Sequence, residues 1–220
     1  MTAARIIIMT RFPEPGRVKT RLIAAIGDDL AAQVHAALLE RALEAATAAA
    51  ERTGANLEVR LCGGEPGAFA DAFDVRGRVM DQGAGDLGER MGRAVRDAET
   101  AGFSRVALIG SDCPALDSHA ITRALGLLDE APAVMAPATD DGYVLLGLRR
   151  FVAALFEAMP WSTDRVFEET VRRARDAGME PHVIETFADV DRPEDLDHGG
   201  PYLPAELIAR IDAHRSAARG

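Results

Sequence analysis

Ile6-Ile-Ile-Met9, followed by Thr10-Arg-Phe-Pro-Glu-Pro-Gly-Arg-Val-Lys-Thr-Arg21, is the stretch that decides the fold. Its first four residues are uninterrupted and apolar, which is typical of a strand buried on both faces of a parallel sheet. The residues that follow are rich in Pro, Gly and cations and form a polar loop. A second apolar run, Val106-Ala-Leu-Ile109, also ends in a polar loop, Gly110-Ser-Asp-Cys-Pro114. The sequence therefore predicts two central strands, each with a loop at its carboxyl end.

Helical and strand-like segments alternate along the rest of the chain. Capping residues and periodicity predict helices over about 28–52, 86–101, 118–130 and 163–177, and strands over 56–61, 78–80, 133–136, 143–148 and 182–185. Such alternation favours an α/β fold, a three-layer α/β/α arrangement with a mostly parallel central sheet. Ligands bind such sheets beyond the carboxyl ends of the strands.

The domain organisation follows from the absence of a composition break before about Gly199. We expect one domain over residues 1–198 and a C-terminal tail over 199–220, with a helix from about 205 to 217. That helix packs either on the domain or on another subunit, and in the second case the protein would be a homodimer.

Charge and cysteine usage exclude several classes of function. The 220 residues carry 35 Asp and Glu against 25 Lys and Arg, a formal net charge of −10, so the surface repels nucleic acid and anionic membranes. The apolar runs are far shorter than a membrane span or a signal-peptide core. The two cysteines lie far apart and match no metal-ligand spacing. We expect a soluble, cytoplasmic protein that binds neither nucleic acid nor membrane.

The loop from Pro13 to Arg21 concentrates positive charge in this acidic chain. Gly16 allows close backbone approach to a ligand, and the cations supply charge-assisted donors for phosphate: Arg11, Arg17, Lys19 and Arg21. The loop matches neither the Walker nor the Rossmann glycine pattern, which disfavours a P-loop kinase or a Rossmann dehydrogenase. The alternative is a surface loop with solvated cations.

Two aspartates are candidate ligands for Mg²⁺ or Mn²⁺, which prefer hard oxygen donors shared with phosphates. Asp112 follows the predicted strand 106–109, and Asp191 lies in Asp189-Val-Asp-Arg-Pro-Glu-Asp195, after the last predicted strand. Each has a structural alternative as a helix cap, since Asp is favoured at that position and Pro193 fits the first position of a helix.

Three further segments contain candidate site residues. Gly85 and Asp86 lie in a Gly-rich loop that enters a helix and can approach a ribose or base, although Asp86 also fits a helix cap. Asp140, in an acidic turn, and Asp164, beside the only Trp, are candidates for positioning an acceptor hydroxyl or acting as a base. Acidic turns are common, so a purely structural role is at least as frequent for each.

With these motifs laid out, the chain resembles a bacterial family of glycosyltransferases in the nucleotide-diphospho-sugar transferase (GT-A) superfamily, some members of which are linked to arsenosugar biosynthesis. The resemblance rests on ordered motifs at 12–21, 82–91, 110–114, 160–163 and 189–196. More distantly, the layout is similar to molybdenum-cofactor and phospholactate guanylyltransferases. The chain departs from the family pattern at Asp141, where Gly is usual, which puts acceptor specificity in doubt.

The resemblance implies that Lys19 and Arg21 hold phosphate, that Asp112 binds the metal and that Asp191 is a second acidic position. It does not choose between reactions, because one architecture hosts both glycosyl and nucleotidyl transfer. One hypothesis is a metal-dependent glycosyltransferase with a nucleotide-diphospho-sugar donor and a small-molecule acceptor. The second is a nucleotidyltransferase that uses a nucleoside triphosphate and releases pyrophosphate. The third is a non-catalytic nucleotide-binding protein.

Overall fold

The computed structural model describes residues 3–217 and has a seven-stranded sheet with the strand order β3-β2-β1-β4-β6-β5-β7. The strands are β1 (Ala4–Arg11), β2 (Asn56–Cys62), β3 (Arg78–Asp81), β4 (Arg105–Gly110), β5 (Ala133–Pro137), β6 (Tyr143–Leu148) and β7 (Pro181–Val183). All neighbouring pairs are parallel except those that involve β6, which runs against both β4 and β5. The predicted mostly parallel sheet is confirmed.

Helices cover both faces of this sheet. They are α1 (Thr20–Ile26), α2 (Asp28–Thr53), α3 (Pro66–Ala72), α4 (Leu87–Thr100), α5 (Ser118–Leu127), α6 (Val166–Asp176), α7 (Leu196–Gly199) and α8 (Ala205–Ala217). On one face the core includes residues of α2 and α5, and on the other it includes residues of α4 and α6. None of the helices described within residues 3–217 is long and apolar enough to cross a membrane.

Strand β1 shows why the opening apolar run specifies the centre of the fold. Successive side chains of a strand point to opposite faces, so Ile6 and Ile8 belong to one core while Ile7 belongs to the other. All three are fully buried. A polar residue at any of these positions would lie in an apolar layer, which explains the absence of alternation.

The topology gathers several loops at one edge of the sheet. Strands β1, β4, β5 and β7 run in the same direction, so the loops that follow them emerge together. Strand β6 starts from that edge because it runs in the opposite direction. The loops that contain Lys19, Asp112, Asp140 and Asp191 are therefore neighbours in space.

Some details differ from the sequence-based expectations. Ser118 fits a helix cap by residue type, but Asp117 caps α5 by accepting a hydrogen bond from Ala120 N at 2.9 Å. Helix α6 begins at Val166 without a side-chain cap, and Thr163 lies in the turn before it, where its hydroxyl donates to Pro160 O. The first loop also includes a short helix, α1, that separates it from α2.

The C-terminal helix packs on its own chain. Leu207 and Ile211 of α8 join a buried cluster with residues of α1 and α2, and Arg210 donates a hydrogen bond to Gln33. The division into a domain (1–198) and a tail (199–220), like the homodimer, stays a prediction. Residues 1–2 and 218–220 of those spans lie outside the described residues.

Candidate functional site

Three loops at the carboxyl edge of the sheet are joined by polar contacts. The Thr10 and Ser111 hydroxyls are 3.0 Å apart, which ties the end of β1 to the loop after β4. Val190 N donates to the carbonyl of Asp112 at 2.9 Å and fixes the third loop beside the second. Because Val190 is fully buried, the chain on either side of it is held in place. The result is a rigid junction with Asp112 and Asp191 on its surface.

Lys19 lies at the centre of this junction. Its side chain is only 2% exposed, and Nζ lies 2.6 Å from Asp112 Oδ1 and 3.0 Å from Asp191 Oδ1. The same nitrogen donates to the carbonyl oxygen of Val190 at 2.6 Å. The backbone of Lys19 is left-handed, with a φ of 46°, an uncommon conformation for a residue with a side chain. Lys19 therefore faces the two aspartates in the ligand-free protein.

The charges of the junction are strongly coupled. Burial acts to raise the pKa of Asp112, but the Lys19 ammonium and the His35 ring outweigh it and hold that pKa well below its usual value. For Lys19, burial acts to lower the pKa, and the two carboxylates outweigh it and raise the pKa. His35 is buried beneath the loop, with Nε2 3.0 Å from the carbonyl oxygen of Arg11. Asp112 thus stays ionised at neutral pH.

A cationic pocket opens on one side of the junction, with a volume of about 640 Å³. Its lining includes the predicted phosphate-binding side chains Arg11, Lys19 and Arg21, together with Arg17 and Arg90. Gln82 supports its floor by donating to the carbonyl oxygens of Thr10 and Arg60, each at 2.9 Å. Positive side chains on a fixed floor can hold an anion such as a phosphate chain.

An acidic pocket opens on the other side, with a volume of about 590 Å³. Five carboxylates besides Asp112 line it, namely Asp140, Asp141, Asp164, Asp189 and Asp191. Apolar side chains complete the wall, among them Met9, Met91, Tyr143 and Trp161. Burial, with the nearby Asp140 and Asp191 carboxylates, raises the pKa of Asp189 to about 6. The pocket offers hydrogen-bond acceptors beside an aromatic surface.

The two pockets share a boundary. Arg21, Asp112, Asp191 and Trp161 line both of them, so the pockets are two halves of one cleft. Arg21 Nη1 lies 3.2 Å from Asp191 Oδ2 and is half-exposed toward the cleft. The structure thus brings the two predicted metal ligands, Asp112 and Asp191, together with Arg21 of the predicted phosphate-binding loop at the boundary between the pockets.

Three predicted binding residues lie outside the lining of both pockets. Gly16 is exposed and has a φ of 79°, which is a requirement of the turn itself. Asp86 caps α4 by accepting a hydrogen bond from Glu89 N at 2.9 Å, so the structure shows the helix-cap role that the sequence offered as the alternative to ligand binding. A Cβ on Gly85 would lie 2.2 Å from Glu89 Oε2, so this glycine makes room for the capping pair. A contact of these three with a ligand stays a prediction.

The capping alternatives for the predicted metal ligands are not realised. Asp117 caps the helix after Asp112. The Asp195 carboxylate accepts from the backbone nitrogens of Asp191 and Arg192, at 2.9 and 2.6 Å, and leaves the Asp191 side chain to Lys19 and Arg21. Both aspartates are therefore available to the cleft.

Asp141, the departure from the family pattern, has a φ of 65°. This left-handed conformation favours glycine, yet Asp141 adopts it with a side chain present. In this chain the position adds a further carboxylate to the acidic pocket.

Sequence reasoning missed two residues of the site. His35 lies on α2 and approaches Asp112 Oδ1 with Nδ1 at 3.7 Å, a contact between distant segments that no local pattern reveals. Asp189 had a local signal. In an extended segment, residues two apart lie on the same side, so the burial of Val190 places Asp189 and Asp191 together facing the cleft.

The two predicted metal ligands fit a hard divalent cation only in part. Within residues 3–217, no group of three or more His, Cys, Asp or Glu side chains is arranged to hold an ion. Asp112 Oδ1 is a buried carboxylate oxygen whose charge is balanced by the Lys19 ammonium at 2.6 Å. Asp112 and Asp191 together supply oxygen donors of the kind that Mg²⁺ and Mn²⁺ bind, provided that a substrate completes the coordination.

Comparisons with solved structures place this fold among known proteins. A candidate nucleotide-diphospho-sugar transferase from Desulfovibrio desulfuricans G20 is 29% identical, with a TM-score of 0.84 over 99% of this chain and 98% of that one. A cytidylyltransferase from Leptospira borgpetersenii is 15% identical, with a TM-score of 0.56 over 100% and 96% of the two chains. A manganese complex of Rv0371C from Mycobacterium tuberculosis H37Rv is 17% identical, with a TM-score of 0.52 over 90% and 97%.

The fold is therefore that of the nucleotide-diphospho-sugar transferases, as the sequence resemblance implied. No curated protein matches the chain. Residues 45–163, more than half of the sequence, match the family described as "Uncharacterized protein conserved in bacteria (DUF2064)", and the chain belongs to this family.

Proposed function

We propose that the protein is a metal-dependent glycosyltransferase that takes a nucleotide-diphospho-sugar donor and a small-molecule acceptor. The observation that carries this proposal is the shared boundary of the two pockets, formed by Arg21, Asp112, Asp191 and Trp161. A donor with its diphosphate in the cationic pocket would have its sugar at this boundary. The acceptor would then approach from the acidic pocket. The 29% identical candidate sugar transferase supports the same donor class.

The chemistry of the acidic pocket favours a hydroxyl-bearing acceptor over a phosphate-bearing one. Carboxylates accept hydrogen bonds from hydroxyl groups, whereas they repel a phosphate. Within this pocket Asp140, Asp141, Asp164 and Asp189 outnumber the cations, Arg21 and Arg192. Glycosyl transfer to a hydroxyl fits these charges better than nucleotidyl transfer to a sugar phosphate.

The reaction assigns a role to each side of the cleft. The acceptor oxygen forms a bond to the anomeric carbon, the bond from that carbon to the diphosphate breaks, and the hydroxyl proton passes to a carboxylate. Asp140 and Asp164 are our candidates for that carboxylate, because both are exposed in the acidic pocket. A Mg²⁺ or Mn²⁺ ion on Asp112 and Asp191 would neutralise the diphosphate leaving group. Arg11, Lys19 and Arg21 are the proposed phosphate contacts.

A nucleotidyltransferase is the second candidate, and one observation favours it. Arg11, Arg17, Arg21 and Arg90 all line the cationic pocket, which is more positive charge than a diphosphate alone requires. A nucleoside triphosphate would use that charge more fully. Such an enzyme would release pyrophosphate.

A thermal-shift screen tests both candidate functions, glycosyl transfer and nucleotidyl transfer, through the binding of their nucleotide substrates. Nucleoside triphosphates and nucleotide sugars, each with Mg²⁺ or Mn²⁺, are compared on the wild type and on Asp112→Asn. A ligand at about 100 times its Kd should stabilise the wild type by roughly 2.7 kcal/mol. The variant should lose the metal-dependent part of that shift. A wild type that no nucleotide stabilises would exclude both enzymes, and binding without any turnover would leave a non-catalytic nucleotide-binding protein.

A further inference from the structure

Lys19 is the only lysine in this sequence of 220 residues, in which the other basic residues that make up the 25 Lys and Arg are all arginines. The two side chains are not interchangeable. An ammonium is a compact charge, whereas a guanidinium is a planar fork that needs more room. The side chain of Lys19 is almost completely buried, and three oxygen atoms from two loops lie within 3.0 Å of its Nζ. The site selects a small cation.

The ammonium occupies the space between the two predicted metal ligands. Its Nζ contacts Oδ1 of both Asp112 and Asp191. A divalent ion that joins these carboxylates would coordinate the same pair of side chains at shorter range. The ammonium and the metal therefore compete for the same negative charge.

The charge balance of the junction also favours competition between the Lys19 ammonium and a divalent cation. Asp112 and Asp191 contribute two negative charges, and the contacting Lys19 and Arg21 contribute two positive ones. These four side chains together are thus neutral without a ligand. A divalent cation alone would give the group of four two excess positive charges, whereas a cation with a diphosphate would not.

We propose that Lys19 is an internal counter-ion of the Asp112–Asp191 pair, so that a divalent cation binds this pair weakly until a diphosphate binds with it. The inference rests on the metal placement of the proposed function. Lys19 acts as a positioning residue in the ligand-free protein, and it turns to the phosphate only when metal and diphosphate enter together. Binding of the two ligands is then cooperative, and linkage makes this coupling reciprocal.

The first test measures Mn²⁺ binding without any nucleotide, by the electron paramagnetic resonance signal of the free ion. Lys19→Met removes the charge and keeps a flexible apolar stem of similar length. We expect this variant to bind Mn²⁺ at least about tenfold more tightly than the wild type, within the usual range of coupling between sites. Arg21→Met is the matched control, since it removes the exposed cation on the same Asp191. It should change the affinity by less than about threefold, as exposed pairs contribute little.

The outcomes separate this inference from the proposed function. Equal effects of the two variants, or a folded Lys19→Met protein that binds Mn²⁺ no better than the wild type, would overturn the counter-ion role. Neither result depends on nucleotide binding or turnover. Failure of the thermal-shift screen would instead remove the proposed function and leave the Mn²⁺ comparison valid.

A second measurement uses the wild type and keeps the inference testable if Lys19→Met does not fold. In protein labelled with ¹³C,¹⁵N-lysine, Lys19 gives the only lysine side-chain signals. We expect these signals to stay in place with Mg²⁺ alone and to move when Mg²⁺ and inorganic pyrophosphate are added together. A shift with Mg²⁺ alone, or none with both when Trp161 fluorescence reports binding, would contradict the proposal.

Discussion

The cationic and acidic pockets share one boundary, yet they are built differently. The cationic pocket rests on buried polar groups from separate segments, including Lys19, His35 and Gln82. The acidic pocket is lined by exposed turn residues such as Asp140, Asp141 and Asp164. Buried contacts are specified by the whole fold, whereas exposed turns tolerate change. We infer that donor binding is a property of the fold and that acceptor choice is a property of the loops.

The largest expected effect comes from breaking the buried ion chain that joins β1, β2 and α4. Glu58 lies 2.7 Å from Arg5 and 2.5 Å from Arg60, and Arg60 reaches Asp97 at 2.9 Å. Glu58→Gln leaves two buried guanidinium groups without their shared carboxylate, so the free energy of unfolding should fall by roughly 3–5 kcal/mol. Urea denaturation measures the change.

An exposed pair provides the control for this variant. Glu185 pairs with Arg123 at the surface, and Glu185→Gln should change the free energy of unfolding by no more than about 1 kcal/mol. Similar losses for the two variants would mean that the buried ion chain stabilises the fold no more than a surface pair does.

The next effect concerns the boundary of the pockets. Asp112→Asn keeps the shape of the side chain and removes its charge from both pockets. We expect turnover of the donor to fall by roughly 10²- to 10³-fold, which is the usual cost of losing one group that stabilises developing charge. Steady-state assays of nucleoside diphosphate release measure it. Asp117→Ala, in the same loop, removes only the cap of α5. It should cost about 1 kcal/mol of stability and leave turnover unchanged.

A smaller effect should reach the acidic pocket through its backbone support. A Cβ at Gly88 would lie 2.0 Å from the carbonyl oxygen of Phe156 and 2.8 Å from Trp161 Nε1. Gly88→Ala should therefore displace the loop that contains Trp161, weaken acceptor binding and lower stability by about 1–3 kcal/mol, the usual cost of overpacking. Thermal unfolding and the acceptor KM report the two effects.

Gly126 is the matched glycine control. It lies in α5 with nothing within 4 Å of an added Cβ, so Gly126→Ala should stabilise the protein by roughly 0.5–1 kcal/mol. Equal behaviour of the two glycine variants would show that the Trp161 loop is not held by α4.

The smallest effect is expected at Arg21. This side chain is 49% exposed, and its contact with Asp191 is open to solvent. Arg21→Met should weaken nucleotide binding by about tenfold, the loss of one charge-assisted hydrogen bond, without a measurable change in stability. Calorimetric titration with the nucleotide checks the affinity. If Arg21→Met lowers the nucleotide affinity more than Asp112→Asn does in the same titration, Arg21 rather than the aspartate pair dominates nucleotide binding.

The fold could be predicted from the sequence because its signals are local. The apolar run Ile6 to Met9 and the alternation of elements were sufficient for the parallel sheet, and the predicted bounds of β6 and α8 match the structure. The candidate site was only partly predictable. Lys19 was expected to face phosphate, but its contacts with Asp112 and Asp191 join residues 93 and 172 positions away along the chain. Such pairings depend on the closure of the whole sheet.

Other residues show where a local signal has two meanings. Gly85 was expected to approach a ligand, and the structure gives it a role in the capping pair of α4. A glycine before a helix start is compatible with either role, so the sequence alone cannot separate them. Asp189 is the opposite case, because sequence reasoning missed it although its spacing from Asp191 was a local signal; the structure shows that the valine between them is buried and that both aspartates line the cleft.

The proposed glycosyl transfer is tested most directly by the identity of the phosphorus-containing product. The protein is incubated with nucleotide sugars, Mg²⁺ and a panel of hydroxyl-bearing small molecules, and in parallel with nucleoside triphosphates and sugar phosphates, and ³¹P NMR follows both mixtures. We expect a nucleoside diphosphate from the first mixture and no pyrophosphate from the second. Pyrophosphate from the second mixture, with the nucleotide sugars intact in the first, would contradict the proposal.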